Sequence, residues 1–302
     1  MAAAGRRPRF SHRLAEGSAM PLKDLLLHFD ASTQGARRLD YALHLAAREN
    51  AHLIGLYTLD LVPTLSQLVR SYSGQIRDFE TYVRIRNSEL DRARQSEAQF
   101  RDGLRRQGVS GEWRFVEGLP AETVALHARY ADLAIIGQID QENRSGITAE
   151  RIPEEVLLHS GRPVVIVPYA GTFPTIAQTI LVAWKPTAEA ARAIGDALPL
   201  LQRAKKVMVV TVNPERGSDT EPGIPVADIA LHLARHDIRV EATTTVADDI
   251  ATGDVLLNKV ADSGADFLVM GGYGHPRTRE AIFGGVTRQI LRQMTVPVLM
   301  AH

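Results

Sequence analysis

The sequence predicts an α/β protein with two tandem, doubly wound, parallel five-stranded sheets. Three observations support this: short apolar runs alternate with helical patterns, the second half repeats the first, and polar residues seldom interrupt the runs. Strands that are apolar on both faces are typical of parallel sheets covered by helices on both sides. A chain of 302 residues has room for two such domains, at roughly 150 residues each.

The internal repeat is visible as a constant spacing between matching residues. Residues 23–59 align with 178–214 at an offset of 155 residues. Towards the end of each half, ADLAIIG at 131–137 aligns with ADFLVMG at 265–271 at an offset of 134. The first half therefore contains 21 additional residues, and they fall within the charged stretch 64–107.

Both halves follow the same order of predicted elements. The five strand-like runs are LLLHF, LIGLYTL, WRFVEG, DLAIIG and PVVIVP in the first half, and ILVAW, KVMVVTV, VEATTTV, DFLVMG and PVLMA in the second. Between the first two runs, Leu39, Leu43 and Ala46 recur at the spacing of a helix that buries one face. Three more helical segments separate the remaining runs. Open sheets of this kind bind ligands beyond the carboxyl ends of the strands, where the strand order reverses.

The repeat and the composition also predict the domain boundaries. We expect a disordered basic tail over 1–19, a first domain over 20–170 with a helical insertion at about 64–107, and a second domain over 176–302. Two prolines and a glycine within 168–178 interrupt the patterns and predict a linker. The insertion is typical of one or two long exposed helices. It is either a solvated arm with i,i+4 ion pairs or a protein-binding surface.

The composition excludes several classes of protein. Thirty-five basic and thirty-five acidic residues leave no net charge, so nothing favours nucleic acid or an anionic membrane as a partner. The absence of cysteine excludes disulfides, thiolate metal sites and a cysteine nucleophile. No apolar run approaches the roughly 20 residues that span a bilayer, and the basic tail lacks the apolar segment of a signal peptide. We expect a cytoplasmic protein without nucleic-acid or membrane partners.

The strongest candidate site is the glycine-rich segment GGYGHPRTREAIFGGVT at 271–287. Gly271 and Gly274 follow a strand-like run, nine residues separate Gly274 from the pair Gly284 and Gly285, and a helical pattern begins near Thr287. Glycines at the end of a strand allow close approach of the backbone to a ligand. Free N–H groups at the start of a helix favour phosphate. The segment therefore predicts a phosphate-binding loop.

This motif resembles that of the universal stress protein family, in which Gly-x-x-Gly is followed after nine residues by Gly and then Ser or Thr. The resemblance extends over both halves, and it includes Gly118 with Pro120-Ala-Glu122 and the closing Pro-Val-aliphatic strands. It implies flavodoxin-like or Rossmann-like sheets of the adenine nucleotide alpha hydrolase-like type. It also implies a role in surviving stress and, in some members, bound ATP with Mg²⁺. Pairing of the final edge strands would make an intramolecular pseudo-dimer. A homodimer and a protein partner are left open.

The second half departs from the family pattern at two positions. Gly285 stands where the family has Ser or Thr, so the backbone donor is kept and the hydroxyl is lost, with Thr287 as the nearest replacement. Lys185 stands where nucleotide-binding members have an Asp that contacts the nucleoside. A lysine can pair with phosphate but cannot accept a hydrogen bond from a ribose hydroxyl. The neighbouring Trp184 either stacks on a base or caps the core.

The first half shows the opposite combination. It keeps Asp30, but its loop contains Gly137 and Asp140, and Glu150-Arg151 stands in place of the second glycine pair. An acidic side chain in a phosphate site repels the anion. We expect this half to be a degenerate partner domain, with Asp30 as a helix N-cap or loop residue instead of a ligand contact.

The leading hypothesis is a stress-response protein that binds an adenine nucleotide weakly in its second half. The assigned contacts are Gly271, Gly274, His275, Gly284, Gly285, Val286, Thr287 and Lys185. No motif places a general base beside a nucleophile, so no catalytic residue is predicted, and at most slow ATP hydrolysis or autophosphorylation is expected. His232 and His236 are four residues apart on a helical pattern, but structural zinc requires four ligands, so no metal site is predicted.

Two alternatives belong to other functional classes. One is a tandem protein of the same family that has lost its nucleotide and acts as a protein-interaction scaffold, through the stretch 64–107. The other is an ATP-using ligase or sulfurtransferase of similar topology, which is disfavoured because the Ser-Gly-Gly-x-Asp-Ser loop after the first strand is missing.

Overall fold

A computed structural model of the chain describes residues 20–60, 76–139, 152–213, 226–274 and 285–302. In the first half the elements are β1 (Asp24–His28), α1 (Thr33–Glu49), β2 (His52–Leu59), α2 (Ile76–Gln107), β3 (Gly111–Glu117), α3 (Pro120–Ala128), β4 (Leu133–Gly137), α4 (Ile152–His159) and β5 (Val164–Val167). In the second they are β6 (Thr179–Ala183), α5 (Ala188–Gln202), β7 (Lys206–Val212), α6 (Val226–Ala234), β8 (Val240–Thr245), α7 (Thr252–Ser263), β9 (Phe267–Gly271), α8 (Gly285–Gln293) and β10 (Val298–Ala301).

The strands form one ten-stranded sheet in the order β3-β2-β1-β4-β5-β10-β9-β6-β7-β8. Neighbouring strands are parallel within each half, and the two halves join where β5 and β10 pair antiparallel, with Leu299 opposite Val165. The strand order reverses between β1 and β4 and between β6 and β9. The prediction of two doubly wound, five-stranded units is confirmed, and the antiparallel pair makes them an intramolecular pseudo-dimer.

Two apolar layers cover the sheet and extend across both halves. One contains buried residues of α1, α2, α5 and α6, and the other contains buried residues of α3, α4, α7 and α8. The near-continuous apolar strands predicted this arrangement, because burial on both faces leaves no position for polar side chains. Because the strands are parallel within each half, their carboxyl ends lie at one edge of the sheet in that half.

Matching aspartates fix the first strand of each half. Asp132 precedes β4, and its carboxylate accepts hydrogen bonds from the N–H groups of Lys23 (2.7 Å) and Asp24 (3.0 Å). Asp266 precedes β9, and its carboxylate accepts one from the N–H of Thr179 (2.8 Å). The repeated Ala-Asp pair in the sequence thus marks the same hydrogen-bonded contact in both halves. It joins the residue before β4 or β9 to the start of β1 or β6.

A second pair of matching residues lies where the helices α1 and α5 end. Arg48 and Arg203 both approach the carboxylate of Glu49, with N–O distances of 3.4 and 3.5 Å. Arg203 also donates a hydrogen bond of 2.7 Å to the carbonyl of Arg48. The Glu49 side chain is only 1% exposed. Burial raises its pKa, and Arg203 and Arg48 oppose that shift.

The helix α2 is not a solvated arm along its whole length. Phe100 is fully buried and its ring centroid lies 5.4 Å from that of Trp113, while Ala93 and Ser96 are also buried. The opposite face carries ion pairs at helical spacing, such as Arg101 with Glu97 at 2.7 Å. Residues 64–75 of the predicted insertion lie outside the described residues. In the ranges given above, no helix is both long and apolar enough to cross a membrane.

Candidate functional site

A cavity of about 230 Å³ lies at the carboxyl ends of β6 and β9, where the strand order of the second half reverses. Its walls come from the ends of β6, β7 and β9 and from the starts of α5, α7 and α8. This is the position at which open α/β sheets bind their ligands.

Six of the eight residues that the sequence assigned to the site line this cavity. They are Gly271, Gly274, Gly285, Val286, Thr287 and Lys185. The other two, His275 and Gly284, lie outside the described residues.

Gly271 allows the end of β9 to touch the start of α5. A Cβ at this position would lie 2.6 Å from the amide nitrogen of Ala190 and 2.8 Å from the carbonyl carbon of Glu189. Both are backbone atoms, so they cannot move aside without displacing the helix. The glycine is therefore required by packing, independently of any ligand.

The loop after β9 is held to α8 by a side chain. Tyr273 has a positive φ of 57°, and its N–H donates a hydrogen bond of 3.2 Å to Oγ1 of Thr287. Thr287 is buried. Its hydroxyl, which the sequence assigned to a ligand, therefore already accepts a bond that shapes the glycine loop. The Thr287 hydroxyl can still donate one hydrogen bond through its own hydrogen.

Part of the cavity lining is apolar. Val210, Val212, Leu256 and Met270 come from one apolar layer of the sheet, and Trp184 comes from the other. Trp184 is half-buried and packs against the core of the sheet, so it caps the core and lines the cavity at once. Its Nε1 is buried without a hydrogen-bond partner in the described part of the chain.

Two charged side chains also line the cavity. Lys185 is exposed just after β6, and Glu189 lies in the first turn of α5 behind the N-cap Thr187. Oε2 of Glu189 is 3.0 Å from the position that a Cβ on Gly274 would occupy. Glu189 was not among the site residues predicted from the sequence. The available signal was an acidic residue in the first helical turn after the strand that leads into the site.

In the first half, the same crevice is filled by an arginine. The guanidinium of Arg38 is buried, lies against Gly137 and bonds Oδ2 of Asp30 at 2.5 Å. Asp30 also accepts hydrogen bonds from the N–H and the hydroxyl of Ser32. The N-cap of α1 is Ser32, whose hydroxyl accepts from the N–H of Gly35 at 2.9 Å. Asp30 was expected to be either the N-cap of the helix or a loop residue. The structure shows that it is a loop residue, because Ser32 is the N-cap.

Burial and the charges around Arg38 shift the pKa values of His28 and Asp30. Burial and the nearby Arg38 lower the pKa of His28 to about 4, against a weaker opposite effect of Asp30. Burial by itself would raise the pKa of Asp30, but the Arg38 charge and the Ser32 hydrogen bonds hold that pKa below its ordinary value. The surroundings of these two residues therefore favour a neutral His28 and an ionised Asp30.

A sequence model of the universal stress protein family matches residues 21–168 and again 177–302. The chain belongs to the universal stress protein family. A comparison with curated proteins found no match. The two matches correspond to the two halves of the sheet, so this is a tandem universal stress protein.

Solved structures share the fold across most of the chain. A universal stress protein from Archaeoglobus fulgidus DSM 4304 is similar with a TM-score of 0.68 and 17% identity, over 92% of this chain and 97% of that one. A functionally unknown protein from Pseudomonas aeruginosa PAO1 gives 0.52 and 13%, over 92% of each chain. A universal stress protein in complex with cAMP covers 50% of this chain and all of its own, at 0.34 and 21%. That last likeness is too distant to carry its ligand over.

Proposed function

We propose that this universal stress protein binds an adenine nucleotide, such as ATP with Mg²⁺, in the cavity of its second half. The observation that carries the proposal is the convergence of the predicted glycine loop, the start of α8 and Trp184 on one cavity at the strand switch point. Family membership supports a role in stress response in the cytoplasm.

The start of α8 is suited to a phosphate group. Gly285 and Val286 line the cavity at the first turn of a nine-residue helix, where N–H groups have no intrahelical partner. The aligned peptide dipoles add a partial positive charge there. Lys185 contributes a full positive charge from the end of β6.

The apolar part of the lining is suited to a base. Trp184 offers an aromatic surface for stacking, and the valine, leucine and methionine side chains of the lining add apolar surface. The volume of about 230 Å³ is below the roughly 300–1,000 Å³ of common ligand pockets. The base and sugar would fill it, with the phosphates at its mouth beside the glycine loop.

A magnesium ion would enter with the nucleotide. The residues described here contain no group of three or more His, Asp or Glu side chains that could hold a metal ion. Mg²⁺ usually binds through substrate phosphates and a few side chains. A bound ion would neutralise part of the phosphate charge, and Lys185 would neutralise another part.

One observation favours the second candidate, a scaffold that binds no nucleotide. Glu189 places a carboxylate beside Gly274, where it opposes an anion. The exposed face of α2, with Glu80, Arg84 and Asp91 along it, would then supply the contact surface for a protein partner.

Calorimetric titration with ATP plus Mg²⁺ and with AMP separates the two candidates. We expect saturable binding of one ligand per chain that is lost in Gly274→Asp, which adds a carboxylate to the loop. The matched control is Gly195→Asp, because Gly195 is exposed on α5 and a Cβ there meets no atom within 4 Å. No heat with either ligand at millimolar concentration, or equal binding by Gly274→Asp, would contradict the proposal.

A further inference from the structure

We propose that Glu189 is a specificity-determining residue that opposes phosphate charge, so that the cavity favours adenosine or AMP over ATP. This inference rests on the proposed function, because it concerns which adenine ligand the same cavity accepts. Its basis is the position of one carboxylate relative to the glycine loop.

The backbone of Glu189 has no freedom to move away from the loop. Gly271 packs directly against the carbonyl carbon of Glu189 and the amide nitrogen of Ala190. Thr187 fixes the start of α5, because its Oγ1 accepts a hydrogen bond of 3.3 Å from the N–H of Ala190. The first turn of α5 is therefore held against the end of β9, and the Glu189 side chain starts from that position.

The side chain of Glu189 reaches Gly274. Oε2 and Cδ lie 3.0 and 3.6 Å from the position of a Cβ on Gly274, and the residue lines the cavity. Within the described ranges, no hydrogen bond or ion pair engages this carboxylate. Its negative charge therefore lies beside Gly274 in the lining of the cavity.

A phosphate that binds the loop would be brought close to this charge. Two like charges about 5 Å apart at the edge of a protein repel strongly enough to change affinity on the order of tenfold. The penalty grows with each phosphate, whereas the base and sugar carry no charge and do not experience it. Adenosine therefore experiences no repulsion from Glu189, AMP experiences little, and ATP experiences the most.

The repeat supplies the matched substitution. In the first half the residue that corresponds to Glu189 is Gln34, an amide of the same size at the same turn of the helix. Glutamine is therefore compatible with this helix start. Glu189→Gln removes the charge while keeping the shape of the side chain.

The test is a titration of the full chain and of Glu189→Gln with adenosine, AMP and ATP, without and with Mg²⁺. We expect wild-type protein to bind adenosine and AMP more tightly than ATP. Glu189→Gln should tighten ATP about tenfold and change adenosine less than about twofold, the size of effect set by one such charge pair. Lys185→Gln should act oppositely and weaken ATP relative to adenosine. The control Glu122→Gln, in the first turn of α3, should leave all three affinities unchanged.

Three outcomes would overturn the inference. Tighter binding of ATP than of adenosine by the wild-type protein contradicts the preference. An unchanged ratio of ATP to adenosine affinity in Glu189→Gln removes the role of this residue, while the proposed nucleotide site stands. Failure of every adenine ligand to bind any variant rejects the proposed function, and the inference with it.

Discussion

The guanidinium of Arg38 contacts Gly137, which is the first-half counterpart of Gly271, and is bonded to Asp30 at 2.5 Å. The residue that matches Arg38 in the second half is Ala193, which has no side chain long enough to occupy the crevice in the same way. The two halves thus share one architecture, but the first closes its strand-end crevice with its own side chain. In the described part of the chain, this buried arginine distinguishes the switch point of the first half from that of the second.

Arg38→Ala should destabilise the protein by about 2 kcal/mol, because it leaves the Asp30 carboxylate without its charge partner. This is below the cost of breaking a fully buried ion pair, because the Asp30 side chain is 40% exposed. Urea unfolding measures the change. The control Arg94→Ala removes an arginine that is 76% exposed and should change stability by less than about 0.5 kcal/mol. Equal stability of the two variants would contradict the assigned role of Arg38.

His28 should make the protein less stable in acid. Its pKa falls from 6.5 to about 4 in the folded chain. Between these pH values the unfolded chain binds a proton that the folded chain does not, so stability falls as pH decreases from about 6.5 to about 4. The loss attributable to this group is about 3 kcal/mol.

The pH dependence can be assigned by substitution. His28→Leu should flatten the curve of unfolding free energy against pH over this window, while His232→Leu, at an exposed position on α6, should keep the wild-type slope. Unfolding in urea across a pH series gives both curves. A slope in His28→Leu equal to that of the wild type would show that another group is responsible.

Substituting alanine for Gly271 and for Gly285 should affect the stability of the protein differently. Gly271→Ala places a Cβ 2.6 Å from the backbone of Ala190 and should destabilise the protein by about 1–3 kcal/mol. Gly285→Ala meets no atom within 4 Å at the start of α8, where alanine is the better helix former. It should leave stability unchanged or raise it by up to about 1 kcal/mol. Thermal unfolding compares them. A stable Gly271→Ala would mean that β9 and α5 are not in close contact.

Glu49→Gln should not destabilise the protein, although it removes the carboxylate between Arg48 and Arg203. Burial raises the pKa of Glu49, so the ionised form is disfavoured in the folded chain, and the N–O distances of 3.4 and 3.5 Å are long for strong charge-assisted bonds. We expect the unfolding free energy at pH 7 to change by less than about 1 kcal/mol, because the charges left behind on Arg48 and Arg203 are 20% and 52% exposed. A loss of more than 1 kcal/mol in urea unfolding would show that this ion-pair cluster holds the two halves together.

The features that the sequence predicted well are local or repeated. Alternating strands and helices follow from apolar periodicity, and the spacing of the repeat placed Asp132 opposite Asp266 and Arg48 opposite Arg203. The pairing of β5 with β10 is different, because it joins residues far apart in the chain. The expectation of that pairing came from the family resemblance.

The site was predicted less completely than the fold. Six of the eight residues assigned around the glycine spacing line one cavity, but the opposing acidic residues were expected in the first half, at Asp140 and Glu150, which lie outside the described residues. The structure shows such a residue, Glu189, in the second half, and it shows Arg38 closing the first. The direction of a side chain in the first helical turns depends on where the helix begins relative to the strand end. The signal in the sequence for a buried Arg38 was its position next to Leu39, which lies on the buried face of α1.

The two tryptophans allow the most direct test of the claim that the nucleotide site lies in the second half alone. Trp184 lines the cavity, whereas Trp113 packs between Phe29 and Phe100 in the first half. Trp113→Phe and Trp184→Phe each leave one fluorescent reporter for titration with AMP and with ATP plus Mg²⁺. We predict a saturable change in the emission of Trp184 and none in that of Trp113. A silent Trp184, or a saturable change at Trp113, would contradict the account.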